Sequence, residues 1–134
     1  MTAGYSGTPL GKKLGYREAM RVFVDGMPDP TRHEIEKSIG EKPDWQFSPE
    51  PDLDAAHIFV TVRAKLEDKA QALMPLLAEG GFIWISWPKK ASKVPTEITE
   101  DTIRKVCLPM GLVDVKVCAV DATWSGLKLM RRRV

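Results

Sequence analysis

The segment 82–92 constrains the fold more than any other part of the chain. Every residue in 82–87 except Ser86 is aliphatic or aromatic, which is typical of a strand buried on both faces of a sheet. A Pro-Lys-Lys sequence follows at once, at 88–90. Because open α/β sheets bind ligands just beyond the carboxyl ends of their strands, this polar turn is a candidate binding site.

The composition indicates one globular domain. The chain has 134 residues, 43% of them hydrophobic and 28% charged, which allows a substantial core, so we expect a single domain over 1–134. The net charge of +2 is too small to indicate nucleic acid as a partner. No apolar run reaches the roughly 18 residues of a membrane span, and no secretory signal is visible. We expect a cytoplasmic protein that binds neither membrane nor nucleic acid, with Cys107 and Cys118 as free thiols.

Predicted strands and helices alternate along the chain. The strands are expected at 20–24, 45–47, 56–62, 82–87, 113–120 and 127–132, and the helices at 10–14, 30–39, 64–79 and 100–110. Such alternation favours right-handed crossovers and a mostly parallel sheet with helices on both faces. Only residues 121–126 join the last two strands, which predicts an antiparallel hairpin. We therefore predict a Rossmann-like α/β fold.

Local signals set the expected helix boundaries. Asp29 is expected to cap the second helix, with Pro30 at its first position. Pro75 should kink or divide the third helix, which Gly80-Gly81 should end. Thr99 should cap the last helix. The buried stripe of that helix is predicted to consist of Ile103, Val106, Cys107 and Met110.

The order of these elements resembles a shortened class I methyltransferase, with residues 14–26 similar to the lead-in, first strand and acidic strand end of that fold. The cofactor loop of such a fold needs glycines, which let the backbone approach the cofactor closely. Here the loop retains Gly26, while Pro28 and Pro30 lack amide donors. We therefore predict that S-adenosylmethionine does not bind with useful affinity, and we expect no cofactor.

A second resemblance covers almost the whole chain. Four segments, at 5–10, 86–92, 111–121 and 123–128, together are similar to a small bacterial family known as domain of unknown function 3052. The resemblance implies a bacterial cytosolic protein with a methyltransferase-like fold, and it implies no activity.

The candidate site centres on the lysine-containing turn. Lys89 and Lys90 can bind phosphate or carboxylate as point charges, and the alternative is a turn that is merely solvated. The turn 123–126 is expected at the same end of the sheet. The full predicted ligand-binding set is Asp25, Thr61, Arg63, Ser86, Trp87, Lys89, Lys90, Ser92 and Trp124.

Two other residue types leave alternatives open. The indoles of Trp87 and Trp124 can either contact a ligand or fill the end of the core. His33 and His57 have no Cys, His or carboxylate at metal-ligand spacing, so we predict no metal site.

These observations support three functional hypotheses. The first is a non-catalytic, methyltransferase-like module that binds a small anionic or nucleotide-like ligand at the carboxyl ends of the strands. The second is an enzyme with a non-standard cofactor mode, for which Asp25 is the only plausible general base. The third is a protein-interaction module that uses Trp87, Trp124 and the loop 88–98 as a contact patch.

Overall fold

A computed structural model describes residues 8–132 of the chain, and its centre is a six-stranded sheet. The strands are β1 (Arg21–Asp25), β2 (Asp44–Gln46), β3 (Leu53–Phe59), β4 (Leu77–Pro88), β5 (Leu112–Ala119) and β6 (Trp124–Arg131). The α-helices are α1 (Leu10–Lys13), α2 (Asp29–Lys37), α3 (Arg63–Leu73) and α4 (Glu100–Cys107). Short 3-10 helices occupy Met74–Leu76, Lys90–Ser92 and Leu108–Met110.

The strand order is β2-β1-β3-β4-β6-β5. The pairs β1–β2, β1–β3 and β3–β4 are parallel. The pairs β4–β6 and β5–β6 are antiparallel. The prediction of a mostly parallel Rossmann-like sheet with a C-terminal antiparallel hairpin is thus confirmed, and β2 is an edge strand as expected.

Strand β4 lies inside the sheet and is covered on both faces. Its side chains alternate, so that Ile83 and Ile85 join the core beneath α3 and α4, while Phe82 and Trp84 join the core beneath α1 and α2. All four are buried. This explains the apolar run at 82–87, because over these residues neither face of β4 meets solvent. We call the two sides the α3/α4 face and the α1/α2 face.

The last helix packs much as predicted. The Thr99 hydroxyl accepts a hydrogen bond from the Thr102 amide in a reciprocal capping box. Ile103 and Cys107 are fully buried and Val106 is nearly so. Met110 differs from the prediction, because it lies in the following 3-10 helix and is only partly buried against the core.

The segment between β3 and β4 departs from the predicted boundaries. Helix α3 ends at Leu73, and Pro75 lies in a 3-10 turn because it has no amide hydrogen to continue an α-helix. Gly80-Gly81 does not end a helix but lies within β4, which begins at Leu77. A Cβ at Gly81 would lie only 2.9 Å from the carbonyl oxygen of Ala78, so this glycine permits close backbone packing. Strand β3 also begins earlier than predicted, at Leu53.

The start of α2 corrects another prediction. Pro28 rather than Asp29 is at the N-cap, and Asp29 is the first helical residue without a side-chain cap. The Pro28 carbonyl oxygen already accepts the Arg32 amide at 3.1 Å, so the helix begins one residue earlier than the acidic residue suggested. No helix within residues 8–132 is long and apolar enough to cross a membrane.

Candidate functional site

The two turns singled out in the sequence lie together. Pro88 pairs with Trp124 at the end of the β4–β6 ladder. One residue further on, the Lys89 amide donates to the carbonyl oxygen of Thr123 at 2.7 Å. The segments 87–92 and 123–126 therefore lie at the same end of the sheet, as the sequence analysis predicted.

The hydrogen-bonding groups of these turns are largely used within the turns. The Ser92 hydroxyl donates to the carbonyl oxygen of Lys89 at 2.6 Å. The Asp121 carboxylate accepts the amides of Thr123 and Trp124 at 2.8 and 2.7 Å. Lys89 is half-buried and Lys90 is exposed. Any anion at this turn would therefore be bound chiefly by the lysine ammonium groups.

The two predicted indoles belong to the core more than to the surface. Trp87 is 8% exposed and packs on the α3/α4 face. Trp124 is half-buried, and its ring meets Phe59 edge-on, with centroids 5.0 Å apart. Neither indole offers the large exposed face that a contact patch for a protein partner would need.

Thr61 and Arg63 make their contacts within the chain itself. The Thr61 carbonyl oxygen accepts the Glu97 amide at 2.8 Å, and the Glu97 carboxylate accepts the Arg63 amide at 2.9 Å. The Arg63 guanidinium lies 3.5 Å from the Glu67 carboxylate. A carboxylate of the protein thus occupies the positive N-terminal end of α3, where an anionic ligand could otherwise bind.

Ser86 is paired with a buried histidine on the α1/α2 face. The fully buried imidazole of His57 contacts the Ser86 hydroxyl through Nε2 and the Tyr16 hydroxyl through Nδ1, both at 2.7 Å. Phe59 stacks on the imidazole with ring centroids 4.5 Å apart. The Ser86 hydroxyl is therefore turned into the core, away from the lysine-containing turn.

The hydrogen-bonded side chains of Tyr16, His57 and Ser86 are uncharged at neutral pH. Burial lowers the pKa of His57 from 6.5 to about 3, because desolvation disfavours the imidazolium. Burial also raises the pKa of Tyr16 well above its usual value, with a smaller contribution from Cys118. A neutral imidazole has one donor and one acceptor, which the two hydroxyl groups can satisfy. His57 and Ser86 are fully buried and closed to any ligand, whereas Tyr16 is 2% exposed.

Among the predicted site residues, Asp25 lines a cavity at the end of a strand. The cavity has a volume of about 530 Å³ and lies at the carboxyl end of β1. The Asp25 carboxylate forms an ion pair there with the Lys69 ammonium group of α3. We call it the Asp25 cavity, and its lining consists of Phe23, Val24, Asp25, Gly26, Phe47, Pro49, Lys69, Ala72 and Leu73.

The walls of the Asp25 cavity combine charge with apolar surface. Phe47 follows the edge strand β2 and is 69% exposed, whereas Phe23 and Leu73 belong to the core of the α3/α4 face. Gly26 has a φ of +75°, and a Cβ there would lie 3.3 Å from the carbonyl oxygen of Phe59. A residue with a side chain would be strained at this position.

Sequence reasoning missed Lys69, Phe47 and Pro49 as parts of this site. Phe47 was recognisable as a large apolar residue beside prolines at the end of an edge strand. Lys69 carried no signal, because the packing of α3 beside β1 decides which of its lysines reaches Asp25. Within residues 8–132, no three His, Cys, Asp or Glu side chains are grouped so that they could hold a metal ion.

Comparisons with known proteins identify the fold. No family model matches the sequence, and no curated protein matches it. Among solved structures, a SAM-dependent methyltransferase from Aquifex aeolicus is similar at a TM-score of 0.69 and 16% identity, covering 96% of this chain and 90% of its own. The ribosomal protein L11 methylase of Lactobacillus delbrueckii subsp. bulgaricus is similar at a TM-score of 0.57 and 13% identity, covering 92% of this chain and 76% of its own.

A TehB-like SAM-dependent methyltransferase from Corynebacterium glutamicum has a TM-score of 0.54 at 10% identity, covering 96% of this chain and 88% of its own. Such distant likeness establishes a Rossmann-like, methyltransferase-like fold. It carries no residue-level information about the site.

Proposed function

We propose that this chain is a non-catalytic module with a methyltransferase-like fold, which binds a small anionic, nucleotide-like ligand in the Asp25 cavity. The observation that carries the proposal is the pairing of a carboxylate and an ammonium group inside an apolar cavity of about 530 Å³. That volume is ordinary for a small-molecule site.

The lining matches the parts of a nucleotide. The Asp25 carboxylate can accept hydrogen bonds from ribose hydroxyl groups, and the Lys69 ammonium group can bind a phosphate. The apolar walls offer a surface for a flat base, especially the exposed ring of Phe47. A bound nucleotide would therefore replace water in the cavity and gain hydrogen bonds, an ionic contact and contact with an aromatic ring.

The position of the cavity in the sheet supports the same proposal. β1 lies between β2 and β3, so the chain changes direction across the sheet at β1. Ligands of open α/β folds bind in the crevice at such a switch point, beyond the carboxyl ends of the strands. Lys89 and Lys90 follow β4 at the same edge of the sheet and provide a possible second contact for a longer anion.

The residues at the end of β1 do not fit S-adenosylmethionine in its usual mode. Gly26 is the single glycine of the loop, and Pro28 and Pro30 supply no amide hydrogens. Thr31, at the start of α2, is buried, and its hydroxyl donates to the Asp121 carboxylate at 3.4 Å. We therefore derive no methyl-transfer step for this chain.

We propose a non-catalytic module because of the surroundings of two titratable residues, His57 and Asp25. His57, with a pKa of about 3, is enclosed in the core and cannot exchange protons with a ligand in the cavity. The Asp25 carboxylate is paired with the Lys69 ammonium group, and a carboxylate in such a pair is a hydrogen-bond acceptor. Three other expectations remain predictions. They are membership of the bacterial family that four segments of the sequence resemble, a single domain over 1–134, and a cytoplasmic location.

Thermal-shift measurements with the four nucleoside monophosphates, S-adenosylmethionine and S-adenosylhomocysteine test this function. We expect at least one nucleoside monophosphate to raise the melting temperature, and we expect Asp25→Asn and Lys69→Met to abolish that rise. Lys65→Met, an exposed lysine on the same helix, serves as the matched control and should keep it.

Two results would overturn the proposal. One is a wild-type protein whose melting temperature no nucleoside monophosphate changes. The other is a rise caused by a nucleoside monophosphate that survives both cavity substitutions, since the nucleotide would then bind elsewhere.

A further inference from the structure

We propose that a second cavity, at the opposite end of the sheet, binds a small ligand that carries a diphosphate group. Its volume is about 470 Å³, which also suits a small molecule. Three cationic side chains line it, those of Lys12, Arg17 and Lys128. We call it the Lys128 cavity, and its other lining residues are Gly15, Tyr16, Gly80, Phe82 and Met130.

The Lys128 cavity is separate from the Asp25 cavity. Phe82 in its wall pairs with Ala55 near the amino end of the parallel strands, whereas Asp25 pairs with Ile58 near their carboxyl end. The two cavities share no lining residue. Phe82 lies on the α1/α2 face, whereas the Asp25 cavity is lined by Phe23 of the α3/α4 face as well as Val24 of the α1/α2 face. Binding in one cavity therefore does not depend on the residues of the other.

The ammonium group of Lys128 is held inside the cavity wall. The side chain is half-buried, and its Nζ lies 4.2 Å from the centroid of the Phe82 ring, a favourable cation–π position. Gly15 has a φ of +82°, and a Cβ there would lie 3.2 Å from this Nζ. The glycine thus provides the turn after α1 and leaves space in front of the ammonium group.

Within the described part of the chain, residues 8–132, no carboxylate is paired with the positive charges of the cavity. Its lining contains no carboxylate, and the ion pairs found among residues 8–132 include none of its three cations. Lys116 adds a nearby positive charge, and its Nζ donates to the Lys13 carbonyl oxygen at 3.0 Å. Burial, followed by the charges of Lys116 and Arg17, lowers the pKa of Lys128.

These charges favour an anion with more than one negative charge. Like charges close together repel one another, so an anion among them would stabilise the folded protein. The planar guanidinium of Arg17 can bind phosphate oxygens in a bidentate manner, while the two lysines act as point charges. Phe82 and Met130 give the cavity an apolar wall for the remainder of the ligand. A diphosphate joined to a small organic group matches this combination.

Calorimetric titration with inorganic pyrophosphate tests the proposal on the full chain. We expect binding by the wild type that weakens as salt is added, because the contacts are ionic. Lys128→Met should reduce the affinity about tenfold or more, while its aliphatic stem still covers Phe82. Arg17→Ala should have a similar effect. Lys105→Met, an exposed lysine on α4, is the matched control and should change the affinity by less than about twofold.

Each outcome decides the proposal. If Lys128→Met fails to fold, the exposed Arg17 provides the test, since Arg17→Ala removes a charge without disturbing the core. Wild-type protein that gives neither heat of binding nor a rise in melting temperature with pyrophosphate would overturn it. So would equal weakening by Lys105→Met, which would indicate diffuse attraction to positive charge. If the protein bound a single-stranded RNA oligonucleotide but not pyrophosphate, the proposal of a small ligand would be wrong, and the cavity would instead be part of a nucleic-acid-binding surface.

Discussion

The two faces of the sheet are stabilised by different interactions. The α3/α4 face buries mainly aliphatic side chains, including Ile58, Ile83 and Ile103. The α1/α2 face encloses the Tyr16-His57-Ser86 chain of hydrogen bonds. There the indole Nε1 of Trp84 also donates to the carbonyl oxygen of Leu14 at 2.6 Å. On the α3/α4 face, stability should therefore depend on close packing of side chains. On the α1/α2 face, it should depend on hydrogen bonds and on the protonation state of His57.

The largest expected effect comes from truncating a side chain that packs in the core of the α3/α4 face. Ile103→Ala should lower the free energy of unfolding by about 2–4 kcal/mol, because it leaves a cavity beside a fully buried side chain. Val113→Ala, which truncates a valine that is 37% exposed on β5, should cost less than about 0.5 kcal/mol. Urea denaturation measures both. Equal effects of the two substitutions would contradict the assignment of Ile103 to the core.

Acid should destabilise the α1/α2 face in particular. His57 has a pKa of about 3 in the folded protein, lowered from 6.5 by burial. Below about pH 6.5 the unfolded chain therefore binds a proton that the folded chain excludes. The free energy of unfolding consequently decreases as the pH is lowered. The loss should reach about 2–3 kcal/mol at pH ~4.5, where glutamate side chains also begin to titrate.

Replacement of each histidine separates this contribution from other acid effects. His57→Gln should flatten the dependence of the unfolding free energy on pH between about 4.5 and 6.5. His33→Gln, at an exposed position of α2, should leave that dependence as it is in the wild type. A wild-type protein whose stability is constant across this range would disprove the enclosed, neutral His57.

A smaller effect is expected from a single hydroxyl group on the same face. Tyr16→Phe keeps the ring but leaves His57 Nδ1 without its partner at 2.7 Å. We expect a loss of about 1–2 kcal/mol in the free energy of unfolding, the usual cost of a buried polar group left unpaired. Thermal denaturation of the two proteins at pH ~7 measures it, and an unchanged melting temperature would show that the hydrogen bond contributes nothing.

The smallest effect concerns the lysine-containing turn, which belongs to neither core. Changing both Lys89 and Lys90 to Ala should alter the free energy of unfolding by less than about 0.5 kcal/mol, since surface charges contribute little to folding. The same variant should weaken the binding of a nucleoside triphosphate more than that of a monophosphate, since the turn is proposed to contact only a longer anion. A marked loss of stability would mean that the lysine stems pack against the sheet.

The sequence was sufficient for features that depend on local pattern. The apolar run at 82–87, the short connection 121–126 and the stripe that includes Ile103 are each readable within a few residues, and together they predict the sheet and its hairpin. The boundary near Gly80-Gly81 was misread, because glycine ends helices and also permits close backbone contacts within strands. The local pattern does not distinguish these two uses.

Features that depend on tertiary contact could not be predicted in this way. The three cations of the Lys128 cavity come from both ends of the chain, and only the tertiary fold that places residues 12–17 beside Lys128 of β6 brings them together. Likewise, the sequence places His57 on a strand but does not indicate that two hydroxyl groups enclose it. Of the predicted site residues, Asp25 lines a cavity, while Ser86 and Trp87 lie in the core.

Native mass spectrometry of freshly purified protein tests the proposed ligand-binding function most directly. Wild-type protein, Lys69→Met and Lys128→Met would be purified in parallel and sprayed under conditions that preserve non-covalent complexes. We predict a retained mass of nucleotide size on the wild type and its absence from Lys69→Met. A retained mass of nucleotide size that persists equally on Lys69→Met and on Lys128→Met would contradict the proposed function, because the molecule would then lie in neither cavity. So would the mass of the bare polypeptide for a wild type whose stability no nucleoside monophosphate changes.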